Sequence, residues 1–408
     1  MKPVQTHLGK LLISSIKNHW LFLWTLTGIY VLLCGLTVLQ NSSSYHKALY
    51  ALLIPPTVLL ILNRKNYRLF RNPIIILYII FITFACISTL THQASETKNV
   101  LMRAFYTFSL FATACFCLKH SIKYSISIAV MAGYTNLVTS LNSFVPWLYE
   151  ALKSENTIIR FIGSGALTNP LLSSHLFGFY TVIFLFMAIN AEKNKVKIIY
   201  YLTAFNFLTM TIATGSRTPL LALTACLIWL SIISPIKRNI VALIAFITLI
   251  VATYFYAPDL ILNRGLSYRP ELWNIALEKI KNSPIFGYGF GAETNFYIDS
   301  LKTVFREPHN IHLSILYFTG ISGFILWTGM HLLALYTCIQ NKNKPLFILA
   351  SCLIIYGITA GMTEGGGLLP RPKEHWFITW IPLALVAALI FRQTEQQKNM
   401  VDSRNVEP

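Results

Sequence analysis

Charge is what this sequence has little of. Only 12% of its 408 residues are Asp, Glu, Lys or Arg, while 55% are hydrophobic; soluble domains carry about 25% charged residues. That balance excludes a soluble protein of this length. Acidic residues are the scarcer sign, 15 in all, and nowhere do they gather as a Mg²⁺ or Mn²⁺ site beside a diphosphate demands. Internal repeats, low-complexity tracts and a soluble domain are missing as well. The seven cysteines, Cys34, Cys86, Cys115, Cys117, Cys226, Cys338 and Cys352, all fall within apolar runs. No disulfide framework is therefore implied, and the Cys115/Cys117 pair reads as packing rather than metal ligation.

What is present instead is a succession of apolar runs near the length of a membrane-crossing helix. They lie near 19–39, 48–62, 73–91, 103–118, 124–142, 168–190, 198–214, 218–234, 239–257, 310–337, 345–361 and 375–391. A β-barrel would alternate in short segments, so the expectation is an all-α polytopic membrane protein of about 12 transmembrane helices, a single integral domain over 1–408. The first run follows Lys2, Lys10 and Lys17 with no clean small-residue cleavage signal and reads as a retained span. A formal net charge of +18 invites a nucleic-acid reading, but its placement opposes one. With the N-terminus in the cytoplasm, the inside segments hold 19 of the 33 Lys and Arg and only 4 of the 15 Asp and Glu. That is the positive-inside signal; NRKNYRLFRN at 63–72 and AEKNKVK at 191–197 carry much of it. Both termini are then cytoplasmic, membrane lipids are the surroundings, and nucleic acid is no partner.

Three outer segments remain: 143–167, the long loop 258–309, and 362–374. Inside the long loop, PELWNIALEKIKNSP predicts an amphipathic helix over about 270–282, with Pro270 at its start and Pro284 as its stop. FGYGFGAETN follows at 286–295; its glycines permit either a phosphate nest or a bare turn, and the turn is favoured because no strand–loop–helix context surrounds it. Residues 392–408 read as a frayed cytoplasmic tail.

The polar residues of the outer face carry the functional question. His309 and Asn310 stand where the tenth run begins, and His312 is one helical turn on, so that both rings would share a face. Such residues also serve simply as caps or as groups reaching the headgroups. Arg217, in the turn between the seventh and eighth runs, is either a boundary anchor or a phosphate ligand. Arg269, just before the surface helix, either pairs with Glu271 or serves an anion beside the helix N-terminus. Two guanidinium forks and an imidazole suit attack on a lipid-linked phosphate ester or pyrophosphate sugar. The arginines would hold the departing diphosphate, and the imidazole would accept the proton of the attacking hydroxyl. Arg160 is a further outer cation or an anchor, and Glu364, with Arg371 and Lys373, either shapes an acceptor cleft or lies in a solvated connector. His175 reads as a packed core histidine. On a continuous helix His331 would lie about 33 Å from His309, at the opposite membrane face.

These residues stand in motifs that resemble one known family. GSGALTNP (163–170), TGSRTPLL (214–221), YRPELWNIALEKIKNSPIFGYGFG (268–291) and PHNIHLSILYFTGISG (308–323) together are similar to the bacterial O-antigen ligases. Polymerases and protein O-oligosaccharyltransferases belong to the same superfamily. The resemblance implies a GT-C-like glycosyltransferase of the inner membrane, with a long periplasmic loop. It would move a glycan from undecaprenyl diphosphate to a sugar hydroxyl of the lipid A core on the periplasmic face, with inversion and without metal or cofactor. By motif, Arg217 and Arg269 would serve the donor diphosphate and His309 the acceptor. Asn310, His312, Arg160 and Glu364 would support substrate binding, and a weak association with polymerase or flippase machinery would follow. The rival activities are polymerisation of lipid-linked repeats, transfer to a protein hydroxyl, and polysaccharide transport or flipping. Transport fits less well because its decisive ionisable groups usually lie at mid-membrane between repeated halves.

Overall fold

A computed structural model of the chain describes residues 2–154, 159–256 and 268–404. Its elements are α1 (Lys2–Val38), α2 (Ser42–Leu62), α3 (Pro73–His92), α4 (Thr97–His120), α5 (Ile122–Lys153), α6 (Pro170–Asn190), α7 (Asn194–Ala213), α8 (Thr218–Ile233) and α9 (Lys237–Tyr256). They continue with α10 (Arg269–Ile280), α11 (Ile311–Gln340), α12 (Pro345–Gly361), α13 (His375–Ile378) and α14 (Trp380–Arg404). Strands β1 (Phe296–Ile298) and β2 (Thr303–Phe305) form one antiparallel hairpin, Phe296 opposite Phe305. The protein is an all-α polytopic membrane protein. Over their described residues the apolar runs fall on helices, the last of them divided between α13 and α14 at Thr379, and among the described residues eight helices are long and apolar enough to cross a bilayer.

Helix starts are written locally. Asn41, Asn72, Asn169 and Asn310 accept from backbone N–H groups two or three residues on, satisfying donors that the first turn leaves free. Pro73, Pro170, Pro219, Pro270 and Pro345 occupy first-turn positions where no N–H is needed. Several element ends differ from expectation. α2 runs through Pro55 and Pro56 unbroken and begins at Ser42. α5 continues past Pro146 to Lys153, so the segment expected to open at 143 is helical for its first ten or so residues. The described part of the tail is helical: α14 extends to Arg404, its early turns held by Arg392 donating to the Leu118 carbonyl at 2.5 Å and by Glu395 pairing with Lys119 at 2.8 Å.

The largest departure lies in α11. Gly320 adopts φ 61°, ψ −169°, which divides the helix into arms over 311–319 and 321–340. Trp327 Nε1 approaches His312 Nδ1 to 3.4 Å, though fifteen residues of straight helix would separate them by about 22 Å. The arms therefore fold back on one another, and the separation expected for His331 fails with the continuous helix it assumed. His331 packs against Trp327 at a tilt of 52°, ring centroids 4.5 Å apart.

The break also explains the glycines of 286–295. Gly287 and Gly289, both at positive φ, press their backbones against Thr319–Gly320 and against Ser88–Thr89 of α3. Tyr288 N and Gly289 N donate to the carbonyls of Tyr317 and Phe318, and Ile321 N donates to that of Pro284. The glycines form a packing seam where a side chain would not fit. Residues 284–289 of the long loop are thus riveted to α3 and to the break in α11.

Candidate active site

α10 is set down on the bundle by a buried stripe of Leu272, Ala276 and Ile280. This is a helical i, i+4, i+8 face, and Leu277 beside it is exposed. Trp273 Nε1 donates to the Pro308 carbonyl at 3.0 Å, tying α10 to the turn that presents His309. The helix begins at Arg269 itself, after Tyr268 in the left-handed region.

Arg269 does not pair with Glu271. Its fork crosses to the 362–374 segment: Nε donates to the Thr363 carbonyl at 2.9 Å and Nη2 to Glu364 Oε1 at 2.6 Å. Glu364 is 1% exposed. Burial pushes its carboxyl up to about 7, with the Arg269 guanidinium and a Thr218 hydrogen bond pulling the other way. The backbone of Glu364 serves too, its carbonyl accepting from Ile311 N at 3.1 Å. Thr218 Oγ1 and Thr363 Oγ1 lie 2.8 Å apart, which joins the start of α8 to the same segment.

His309 stands just ahead of α11, at φ 48°. Asn310 is the helix cap, its side chain accepting from Leu313 N at 3.0 Å. Because His309 lies outside the helix, the expected shared face with His312 does not arise. The His309 ring is half-buried and meets Phe305 edge-on at 6.1 Å. Burial lowers its pKa below the ordinary imidazole value; nearby Glu307 opposes the shift and Arg269 adds to it. His312 instead points into the bundle, with Nε2 donating to the Ile358 carbonyl at 3.1 Å while Nδ1 faces the Trp327 N–H. A carbonyl can only accept, so the proton is on Nε2 and both ring nitrogens are engaged.

Arg217 is the cap residue of α8, next in sequence to Thr218 and therefore beside the Arg269–Glu364 pair. Arg160 supports that turn: its Nε donates to the Thr214 carbonyl at 2.5 Å, and Phe161 N donates to that of Ala213. GSGALTNP has a tethering task. Ala166 N and Ser164 Oγ bond the carbonyls of Leu36 and Thr37 at the end of α1, and Asn169 caps α6. His175 is fully buried in α6.

The site is thus a rim on one end of the bundle where Arg269, Glu364, His309 and Asn310 meet, with Arg217 on the adjoining turn, Arg160 bound to that turn and His312 behind. Sequence reading missed Thr218 and Thr363, the hydroxyls that lock this turn to the 362–374 segment, and Glu307, whose charge faces the imidazole. Thr218 and Thr363 are each adjacent to a singled-out residue and Glu307 stands two positions before His309, but nearness in sequence alone does not reveal a hydrogen bond across 145 positions. Among the described residues, no group of three or more His, Cys, Asp or Glu is arranged to hold a metal ion.

Comparison with known proteins gives two matches. The model of a family described as O-antigen ligase matches residues 202–328, the stretch that carries Arg217, Arg269 and His309. An O-antigen ligase from Pseudomonas aeruginosa is 32% identical over 386 residues, covering 93% of each chain.

Proposed function

This chain belongs to the O-antigen ligase family, and on that premise we propose that it transfers a glycan from undecaprenyl diphosphate to a sugar hydroxyl of the lipid A core. The reaction takes place at the periplasmic face of the bacterial inner membrane, by a metal-independent, inverting route on a GT-C-like scaffold of twelve spans. The observation that carries this reading is the meeting of Arg269, Glu364 and His309, contributed by three segments distant in sequence, at one end of the bundle.

The chemistry follows from what each group can do. Neutral His309 accepts the proton of the acceptor hydroxyl. The hydroxyl oxygen bonds to the anomeric carbon of the donor on the face opposite the diphosphate. The bond from that carbon to the diphosphate oxygen breaks, and undecaprenyl diphosphate leaves with its electron pair. Arg217 and Arg269 take up the charge of the leaving diphosphate, where a guanidinium fork matches two phosphoryl oxygens. Glu307 steadies the imidazolium that forms. Asn310 fixes the helix start from which His309 projects, and the buried Glu364 holds the Arg269 side chain in place. Arg160 braces the Arg217 turn, and His312 braces the two arms of α11 from behind.

The test is reconstitution of the purified protein with an undecaprenyl-diphosphate glycan and lipid A core, with mass measurement of the product. The expected product is core extended by the whole donor glycan. His309→Ala is expected to abolish it, a loss of at least roughly 100-fold, at unchanged abundance in the membrane. A product in which two lipid-linked glycans have joined, or near-normal turnover by the variant, would sink the reading or the role of His309 respectively.

A further inference from the structure

The 362–374 segment is held at both ends. Its start is bound by Arg269 and Thr218, as described. Its end is bound by two other helices: Arg103 Nη1 of α4 donates to the Leu369 carbonyl at 3.0 Å, and His46 Nε2 of α2 donates to the Pro372 carbonyl at 2.8 Å. Around this second attachment three rings are layered. His46 and Tyr50 lie 6.1 Å apart at 13°, and Tyr50 and Tyr106 lie 4.2 Å apart at 23°. Arg103 also lies over the Phe290 ring at 4.7 Å, and its Nε is buried with no hydrogen-bond partner among the described residues.

Positive charge collects on these rings. Arg371 is exposed and Lys373 half-buried, and both act electrostatically on His46, while Arg371 acts on Arg103 and Tyr50 as well. Acid to offset them is sparse. Glu96 acts on Arg103, but its carboxylate accepts from Asn99 at 2.7 Å, and Glu374, though buried, acts on Lys373 and leaves the two guanidinium groups to themselves. No ion pair among the described residues engages Arg103, Arg371 or Lys373. Unneutralised guanidinium groups beside stacked aromatic rings match a phosphate attached to a sugar: the forks take the phosphoryl oxygens, and the rings take the apolar C–H face of the pyranose.

A transferase must hold two substrates on different sides of the reacting carbon. The arginines at the start of the segment serve the donor diphosphate in the function proposed above, which leaves its other end without a substrate. We propose that the surface formed by His46, Tyr50, Arg103, Tyr106, Arg371 and Lys373 is the acceptor subsite and binds a phosphorylated oligosaccharide headgroup. The inference rests on the transferase reading, and its test keeps the two apart.

The probe is a soluble phosphorylated oligosaccharide and the same compound after phosphatase treatment, titrated calorimetrically into the purified full chain. The wild type is expected to favour the phosphorylated form by roughly ten-fold or more, the worth of a charge-assisted contact. Arg371→Glu, at an exposed position where folding is not at stake, is expected to erase that preference, and Arg103→Gln to weaken it. In the transfer assay both variants should raise KM for a phosphorylated acceptor while KM for the donor stays constant. Equal binding of the two compounds by the wild type, or a change confined to donor KM, would overturn the subsite. Binding with the expected preference but without any transfer would uphold the subsite and remove the transferase reading. Normal transfer with acceptor KM unchanged in both variants would do the reverse.

Discussion

At the scale of single residues, the site is shaped by burial acting on scarce ionisable groups. His309 is held in the left-handed region, a conformation that costs a non-glycine residue roughly 1–2 kcal/mol. It is tolerated because Asn310 must be extended to cap α11 and Pro308 is fastened by Trp273. Burial keeps the imidazole below its ordinary pKa, so the neutral, proton-accepting form persists to lower pH than in a free histidine. Transfer activity should therefore remain flat as pH falls through about 6.5 and decline only beneath it, as His309 takes on a proton. The profile of kcat/KM against pH checks this, and an acid limb lying above 6.5 would contradict it. Glu364 illustrates the opposite sign: burial moves its carboxyl up to about 7, and its ion pair with Arg269 recovers only part of that cost. Such a pair serves to place the guanidinium more than to add stability.

Among elements, the broken α11 organises the rim. Gly320 supplies φ 61°, and a Cβ at that position would overlap the Ile285 carbonyl. Gly320→Ala is therefore expected to destabilise the protein by at least about 2 kcal/mol, backbone strain adding to steric overlap. The result should be a lowered thermal unfolding midpoint in detergent and reduced membrane abundance. Gly329→Ala, where a Cβ meets nothing within 4 Å, is the control and should be neutral. An unchanged midpoint for Gly320→Ala would mean that the reversal between the arms tolerates a side chain. α10 depends on the same break, because the 285–291 seam that follows it packs directly on the residues flanking Gly320.

For the whole molecule the question is orientation. The helix ends joined by Arg160–Thr214, Thr218–Thr363, Arg269–Glu364 and His46–Pro372 share one end of the bundle, whereas the basic runs at 63–72 and 191–197 belong to the opposite ends of their helices. By the positive-inside rule the rim is expected to face outward. The native cysteines are free and, apart from partly exposed Cys86, buried, so an added cysteine reports its own side of the membrane. Val304→Cys, at an exposed position of β2, should react in intact spheroplasts with a membrane-impermeant thiol reagent. Lys195→Cys should react only after the membrane is opened. The reverse pattern would place the rim in the cytoplasm and end the periplasmic reading.

That helices form, where most of them start and which apolar runs they take up are legible in the residues alone, because hydropathy, proline placement and asparagine caps act within one turn of the chain. The same reading singles out Arg217, Arg269, His309 and Glu364 as charges with a cost to explain. The packed fold alone reveals that Arg269 binds Glu364 rather than Glu271, that both nitrogens of His312 are engaged inside the bundle, and that α11 doubles back. Each of those outcomes turns on a contact between segments far apart in the chain. Local periodicity carries no record of a partner some 95 residues away, nor of the carbonyl that makes Gly320 indispensable.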